Sequence, residues 1–235
     1  MTPSDRRLVV NADDFGLSAA VNAGILRAHA DGIVTTASLM VRAPAAEQAV
    51  AAARRHPRLA LGLHVDLGEW VRGGDGWRAA YEVVDTTDPE AVAAELERQL
   101  DRFRALTGGD PSHLDSHQHV HREEPVRSIL GVRARELRVP LRHHGRVRYC
   151  GAFYGQDGDG APLPDAITAA RLVRLVAGLS AGATELCCHP AAAPEPATGY
   201  GAERVRELES LCDPRVRAAV QQARVRLCTF REALA

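Results

Sequence analysis

The 235-residue chain has no lysine; all 29 of its basic side chains are arginine. That absence excludes Schiff-base chemistry, a phosphate loop built on lysine and a lysine general base. Cysteine is sparse: Cys150, Cys187, Cys188, Cys212 and Cys228 contain no C-x-x-C pair and read as buried free thiols in a reducing compartment. No apolar run approaches the roughly 18 residues that cross a membrane, and no charged-then-apolar leader opens the chain, so a cytoplasmic, membrane-free protein is expected. A formal charge of -1, with both signs interspersed, argues against nucleic acid or an anionic membrane as the main partner. Neither a G-x-G-x-x-G nor a phosphate-loop motif is present.

What the chain does have is 46% apolar residues, an ordinary globular composition with enough to fill one core. Short apolar segments alternate with amphipathic ones. Strands are expected at 8–14, 33–41, 59–67, 139–144, 146–154, 184–189 and 225–230, with another at the histidine-rich 113–121. Helices are expected at 19–32, 45–56, 89–106, 123–138, 165–182 and 201–211, with a further helical stretch after Pro214. A Gly/Trp-rich excursion at 68–85 interrupts the rhythm. Strand–helix alternation without a long linker predicts one α/β domain spanning 1–235: a TIM-barrel-like (β/α) barrel, seven-stranded or distorted, rather than an open doubly wound sheet.

HLDSHQHVH (113–121) places four histidines and an aspartate in nine positions. On a strand, His113, Asp115, His117, His119 and His121 would share a face; on a helix, His113, His117 and His121 would stack. Either way imidazoles converge, which favours neutral rings able to bind a cation. Taken singly, Asp13-Asp14 reads as a turn or cap, His64 and His189 as core histidines, and Arg142 as a salt-bridge residue. Taken together, Asp13, Asp14, His64, His117, Arg142 and His189 all fall at the C-terminal ends of expected strands, where barrels gather their functional loops. Two imidazoles and a carboxylate suit a catalytic divalent cation, and a second carboxylate suits a proton acceptor.

NADDFG, GLHVDL, HLDSHQHVH, VPLR and ELCCHP, in this order, resemble the YdjC/ChbG carbohydrate deacetylases over essentially the whole chain. The resemblance implies a TIM-barrel-like fold and metal-dependent hydrolysis of an N-acetyl group from an amino sugar or small chitooligosaccharide. It implies Asp14, His64 and His117 as ligands of Mg²⁺ or Zn²⁺ (Mn²⁺ or Co²⁺ as alternatives), with Asp13 as general base. His113 and Asp115 would orient the ligands, Arg142 would hold Asp13 or bind substrate, and His189 would protonate the leaving amine. His119 and His121 are expected at the pocket rim, near substrate. Trp70, with Asp66, Glu69, Trp77 and Tyr81, lies in a stretch that departs from the chitobiose-type pattern. Its rings either stack on the sugar or pack the excursion onto the barrel. A homodimer is a further implication of the family. Two other readings stay open: a metal-dependent phosphoesterase, which commonly uses two or more metals, and a catalytically silent sugar-binding protein on the same fold.

Overall fold

The computed structural model describes residues 5–73, 76–195 and 199–235. In chain order, β1 (Arg6–Phe15), α1 (Ala19–Ala30), β2 (Thr36–Leu39), α2 (Ala46–Ala53) and β3 (Ala60–Val65) keep the expected alternation. The 68–85 excursion is an antiparallel hairpin of β4 (Gly68–Gly73) and β5 (Gly76–Glu82), separate from the main sheet. Next come α3 (Pro89–Thr107), β6 (Leu114–Ser116), α4 (Val126–Leu137), β7 (Arg148–Cys150), α5 (Ala169–Ala177) and β8 (Gly182–Cys188). The chain finishes with α6 (Glu203–Leu211), α7 (Pro214–Gln222), β9 (Val225–Leu227) and α8 (Phe230–Leu234).

Helix ends follow local chemistry. Ser18 accepts the Val21 N–H at the start of α1, and Asp88 caps α3 with Pro89 in its first turn. Gly108, at φ +83°, ends α3 in the left-handed conformation that favours glycine. The last helix is absent from the expected elements, although Thr229 and Glu232 form a reciprocal capping box at its start.

The main sheet is parallel, in the order β6-β3-β2-β1-β8-β7, with β9 paired to the first residues of β1. Three strand spacings separate β6 from β1, about 14 Å in a flat sheet. Asn11 Nδ2 nevertheless lies 3.4 Å from Asp115 Oδ2, so the sheet curls into a barrel wall. Residues 139–144 contribute only a one-residue parallel bridge, Leu141 to Leu114, because the chain turns back at His144. Among the described residues no backbone pairing joins that bridge to β7, which leaves the barrel open along one seam. The expected barrel is therefore present in a seven-stranded, incompletely closed form.

Period-two alternation sorts the two faces. Outward residues (Leu8, Val10 and Ala12 on β1; Leu63 and Val65 on β3; Leu186 and Cys188 on β8) pack with the helices in the main apolar core. Inward residues change character along the barrel axis. At the bottom, Val9, Ala183, Cys228, Phe230 and Ala233 form a small apolar plug. Above it sit Asn11, Thr36, His113 and Glu185, then Asp13, Ser38, His64, Asp115 and Cys187, all buried. An interior filled with polar groups must satisfy them internally, and the hydrogen bonds described below do so.

Gly62 shows how tightly this interior is fitted. A Cβ there would lie 2.2–2.4 Å from the His113 ring atoms, so the absent side chain is the space that His113 occupies. Gly62→Ala is expected to destabilise the fold by about 1–3 kcal/mol through overpacking, measured by chemical denaturation. Gly109→Ala, where a Cβ meets nothing within 4 Å, should leave the denaturation midpoint nearly unchanged.

Candidate active site

Adjacent residues on a regular strand point to opposite faces, so Asp13 and Asp14 should not share a pocket. They do so because β1 breaks its register with β2 between Ala12 and Phe15, and Asp14 adopts φ +66°. Aspartate tolerates this left-handed conformation better than most residues, and such strain is found at functional positions. Both carboxylates then face a cavity of about 880 Å³ at the C-terminal end of the barrel.

Two buried arginines keep the adjacent carboxylates ionised. Arg142, just past the Leu141 bridge, donates to Asp13 through Nη1 at 2.6 Å and Nη2 at 2.7 Å. The same guanidinium reaches Glu185 at 2.7 Å and Asp115 at 3.0 Å. Burial alone would raise the Asp13 pKa, but the Arg142 charge outweighs it and lowers it to about 2. Arg204 on α6 donates to Asp14 Oδ2 at 2.7 Å. Burial again opposes ionisation there, and Arg204 with the neighbouring histidines holds the Asp14 carboxyl well below its usual range.

The other oxygen of Asp14 is the informative atom. Oδ1 is buried with no hydrogen-bond partner, 3.4 Å from His64 Nε2 and 3.3 Å from His117 Nδ1. Bonds of about 2.05 Å in a tetrahedral site put ligand atoms about 3.3 Å apart, so each histidine nitrogen stands at ligand spacing from Asp14 Oδ1. The His64 ring is oriented to bind: its Nδ1 pairs with Asp115 Oδ1 at 2.7 Å, leaving Nε2 turned towards Asp14. Asp115 is fixed in turn by the Ser38 hydroxyl at 2.6 Å and by Arg142. The residues present fit a divalent cation on donor chemistry, burial and spacing.

The histidine segment divides sharply. Only Leu114–Ser116 is strand; His117–Arg122 is a 3₁₀ turn in which Gln118 (φ 49°) and His119 (φ 56°) are left-handed. The strand alternation expected to carry through to His121 therefore stops at Ser116. His113 points inward behind Ser38 and against Phe230; its hydrogen-bonded link to Asp115 runs through the Ser38 hydroxyl, and its Nε2 lies 3.9 Å from Asp115 Oδ2. His119 lines the cavity. His121 does not sit at the rim: it is fully buried, and its Nδ1 lies 2.6 Å from the Ser116 hydroxyl.

Of the two roles the resemblance implies for Arg142, the geometry matches the first: its guanidinium is buried away from solvent, against Asp13 rather than against the cavity. His189 follows β8 and lines the cavity, 3.9 Å from Asp13 Oδ2 and 3.8 Å from Glu207 Oε1. Trp70 lines the cavity as well, and its backbone N–H and C=O both bond the Gln118 side chain at 2.8 Å. Trp77 is 63% exposed at the mouth. Sequence reasoning misses Arg204 and the Tyr149 and Tyr154 rings that line the same cavity. A signal for Arg204 exists: with Glu207, Leu208 and Leu211 it occupies the buried stripe of α6, where charged residues need partners.

With this geometry established, the relationships of the chain become interpretable. Residues 7–222 match the family described as YdjC-like protein. The chain belongs to the YdjC-like family. A Geobacillus stearothermophilus relative named carbohydrate deacetylase is 34% identical, with 97% of this chain and 98% of the relative covered. A Klebsiella pneumoniae relative named chitooligosaccharide deacetylase is 33% identical, with 97% and 99% covered. The crystal structure of an Enterococcus faecalis protein, provisionally named for cellobiose-phosphate cleavage, superposes with a TM-score of 0.80 at 26% identity, covering 99% of this chain and 100% of that one. A family 4 carbohydrate esterase from Streptomyces lividans, solved with acetate, shares the fold at a TM-score of 0.55 and 13% identity, covering 96% and 92%.

Glu185 gives this YdjC-like interior a measurable pH signature. Burial pushes its pKa up to about 7, against the pull of Arg142. A carboxyl whose folded pKa is raised destabilises the fold as pH climbs from its unfolded value, about 4.3, through 7. Glu185→Gln removes that contribution. The stability difference between variant and wild type should therefore move in the variant's favour by up to about 3 kcal/mol between pH 4.5 and 7.5, as read from urea denaturation at each pH.

Proposed function

We propose that this YdjC-like protein is a metal-dependent carbohydrate deacetylase that hydrolyses the N-acetyl group of an amino sugar or short chitooligosaccharide. The observation that carries the reading is the unpartnered, buried Asp14 Oδ1 between His64 Nε2 and His117 Nδ1, facing a cavity that also contains a second carboxylate, Asp13. The deacetylase names of the relatives that cover nearly the whole chain supply the reaction class. A divalent cation held by Asp14, His64 and His117 would polarise the acetamide carbonyl and acidify the attacking water.

The protein side chains do the rest. Asp13, kept anionic by Arg142, accepts the proton of the attacking water; a carboxylate with so low a pKa holds that proton only briefly. His189, 3.9 Å from Asp13, is placed to deliver a proton to the departing nitrogen, so acetate and a sugar amine leave. Trp70 and Tyr154, the latter stacked on Tyr200, line the cavity and would meet the apolar faces of the sugar. Glu69, whose pKa is raised by burial, stands 3.9 Å from His117 Nε2, which has no hydrogen-bond partner of its own.

Acetate release should be followed over a panel of N-acetylated mono- and oligosaccharides, with Mg²⁺, Mn²⁺, Zn²⁺ and Co²⁺ supplied separately. Asp14→Ala and His117→Ala are expected to lower turnover at least about 1,000-fold, comparable to loss of a main electrostatic stabiliser. Undiminished turnover by metal-stripped protein would overturn the metal-dependent reading. Phosphate release from a phosphorylated sugar, with no acetate from any member of the panel, would favour the phosphoesterase instead.

A further inference from the structure

A second set of imidazoles stands beside the open seam of the barrel and shares no residue with the Asp14 group. His119, His121 and His143 each place a ring nitrogen within 4.8 Å of the others. Their ring centroids are 5.2, 5.5 and 5.9 Å apart. Three imidazoles on one tetrahedral Zn²⁺, with Zn–N of about 2.05 Å, have centroids about 5.2 Å apart and nitrogens about 3.3 Å apart. His143 Nε2 and His119 Nδ1 are 3.4 Å apart.

Three further observations point to a ligand. His121 is fully buried, yet its Nε2 has no hydrogen-bond partner. The remaining nitrogens of two rings are occupied in the way that orients metal-binding histidines: His121 Nδ1 meets the Ser116 hydroxyl at 2.6 Å, and His119 Nε2 meets the Tyr149 hydroxyl at 3.2 Å. In the binding tautomer both would donate N–H to those oxygens. Finally, His119 (φ 56°) and His143 (φ 65°) are both left-handed, a backbone strain that persists where the placement of the side chain matters.

We propose that His119 Nδ1, His121 Nε2 and His143 Nε2 form a second metal site, selective for Zn²⁺ or another imidazole-binding transition ion over Mg²⁺. Selectivity follows from the donors. Mg²⁺ requires oxygen ligands, and three neutral nitrogens offer it none, whereas they suit Zn²⁺ with water at the fourth position. The groups that face the rings tolerate a cation. Arg142, the charge that acts most on His143, is already paired with Asp13, Asp115 and Glu185. Arg122 and His144 act on that ring more weakly, and Tyr149 contributes a neutral hydroxyl. An ion here ties the 3₁₀ turn after β6 to the His143 turn, on the stretch where backbone pairing fails to close the barrel. Because His119 and His143 also line the large cavity, the ion would form part of its wall. The two sets share no ligand, so this is not a bridged two-metal centre.

The test empties the first site and asks whether the second still binds. Asp14→Ala protein, confirmed as folded by circular dichroism, is stripped with chelator, loaded with Zn²⁺, desalted and assayed for metal by mass spectrometry; His117→Ala serves if Asp14→Ala fails to fold. One zinc per chain is expected, and none in Asp14→Ala/His143→Ala. Affinity should fall by more than the 10- to 100-fold that losing a mere outer partner costs. Zinc should raise the thermal midpoint of the single variant and not that of the double. Co²⁺ in the single variant should give visible absorption bands of tetrahedral strength, absent from the double. Mg²⁺ at the same concentration should leave the midpoint unmoved. No zinc retained by folded Asp14→Ala, or the same zinc content and affinity after His143→Ala is added, would overturn the second site. Neither result would bear on deacetylation at the first.

Discussion

The guanidinium of Arg142 is the constraint on which the rest of the interior depends. It is fully buried, and its three nitrogens reach Asp13, Asp115 and Glu185, which come from three different strands. Without it the upper barrel would hold three carboxylates in a desolvated space, and breaking such a pairing costs about 3–5 kcal/mol. With it, Asp13 and Asp115 are held well within their anionic range while Glu185 remains near neutrality. A planar fork is needed for this: an ammonium is a point charge and cannot present donors along three directions in one plane. The absence of lysine from the chain is consistent with that demand, since the other buried cation at the site, Arg204, also works by direct contact with a carboxylate.

Together the two arginines solve the problem set by adjacent aspartates. Asp13 is turned inward to Arg142 and Asp14 sideways to Arg204, and the left-handed backbone at Asp14 makes the divergence possible. One oxygen of Asp14 is then fully committed and the other is left bare. Arg142 acts at the other end of the network as well, through Asp115 to His64, so that one charge sets the orientation of the base candidate and of a ligand candidate. Residues distant in sequence are coupled here by short hydrogen bonds rather than by proximity in the chain.

Much of this is legible in the sequence because barrel chemistry collects at strand ends. Asp13, Asp14, His64, His117 and His189 all carry that address in the sequence, and all five line the same cavity. What escapes is set by conformations that periodicity cannot express. The strand pattern in HLDSHQHVH runs unbroken on paper, yet two consecutive left-handed residues, Gln118 and His119, end it after Ser116 and turn His121 inward. Arg204 escapes for a different reason: it comes from a helix, and its partner lies 190 positions away. The capping box of α8 is a readable signal in a segment too short for helical periodicity to show. Its consequence is large, since Phe230 on that helix plugs the barrel beneath His113.

The seam explains why histidine is concentrated where it is. A closed barrel would satisfy the backbone after β6 by pairing with the next strand, but the chain there offers only the Leu141 bridge and then turns. Side chains take over what the ladder leaves undone: Gln118 bonds the Trp70 backbone on one side, and His119 meets Tyr149 of β7 on the other. Side chains in such a place are favoured without net charge, because the Arg142 charge acts on all three rings. Imidazole meets that requirement, and burial with the nearby Arg142 charge lowers the pKa of His119 and His121 to about 3 and of His143 to about 4. The same properties make imidazoles good ligands for soft or borderline ions and poor ones for Mg²⁺. Asp14 adds an oxygen donor to the other set. The donors of the two groups therefore follow from what each does for the fold, one facing a buried arginine and the other sharing an aspartate with one.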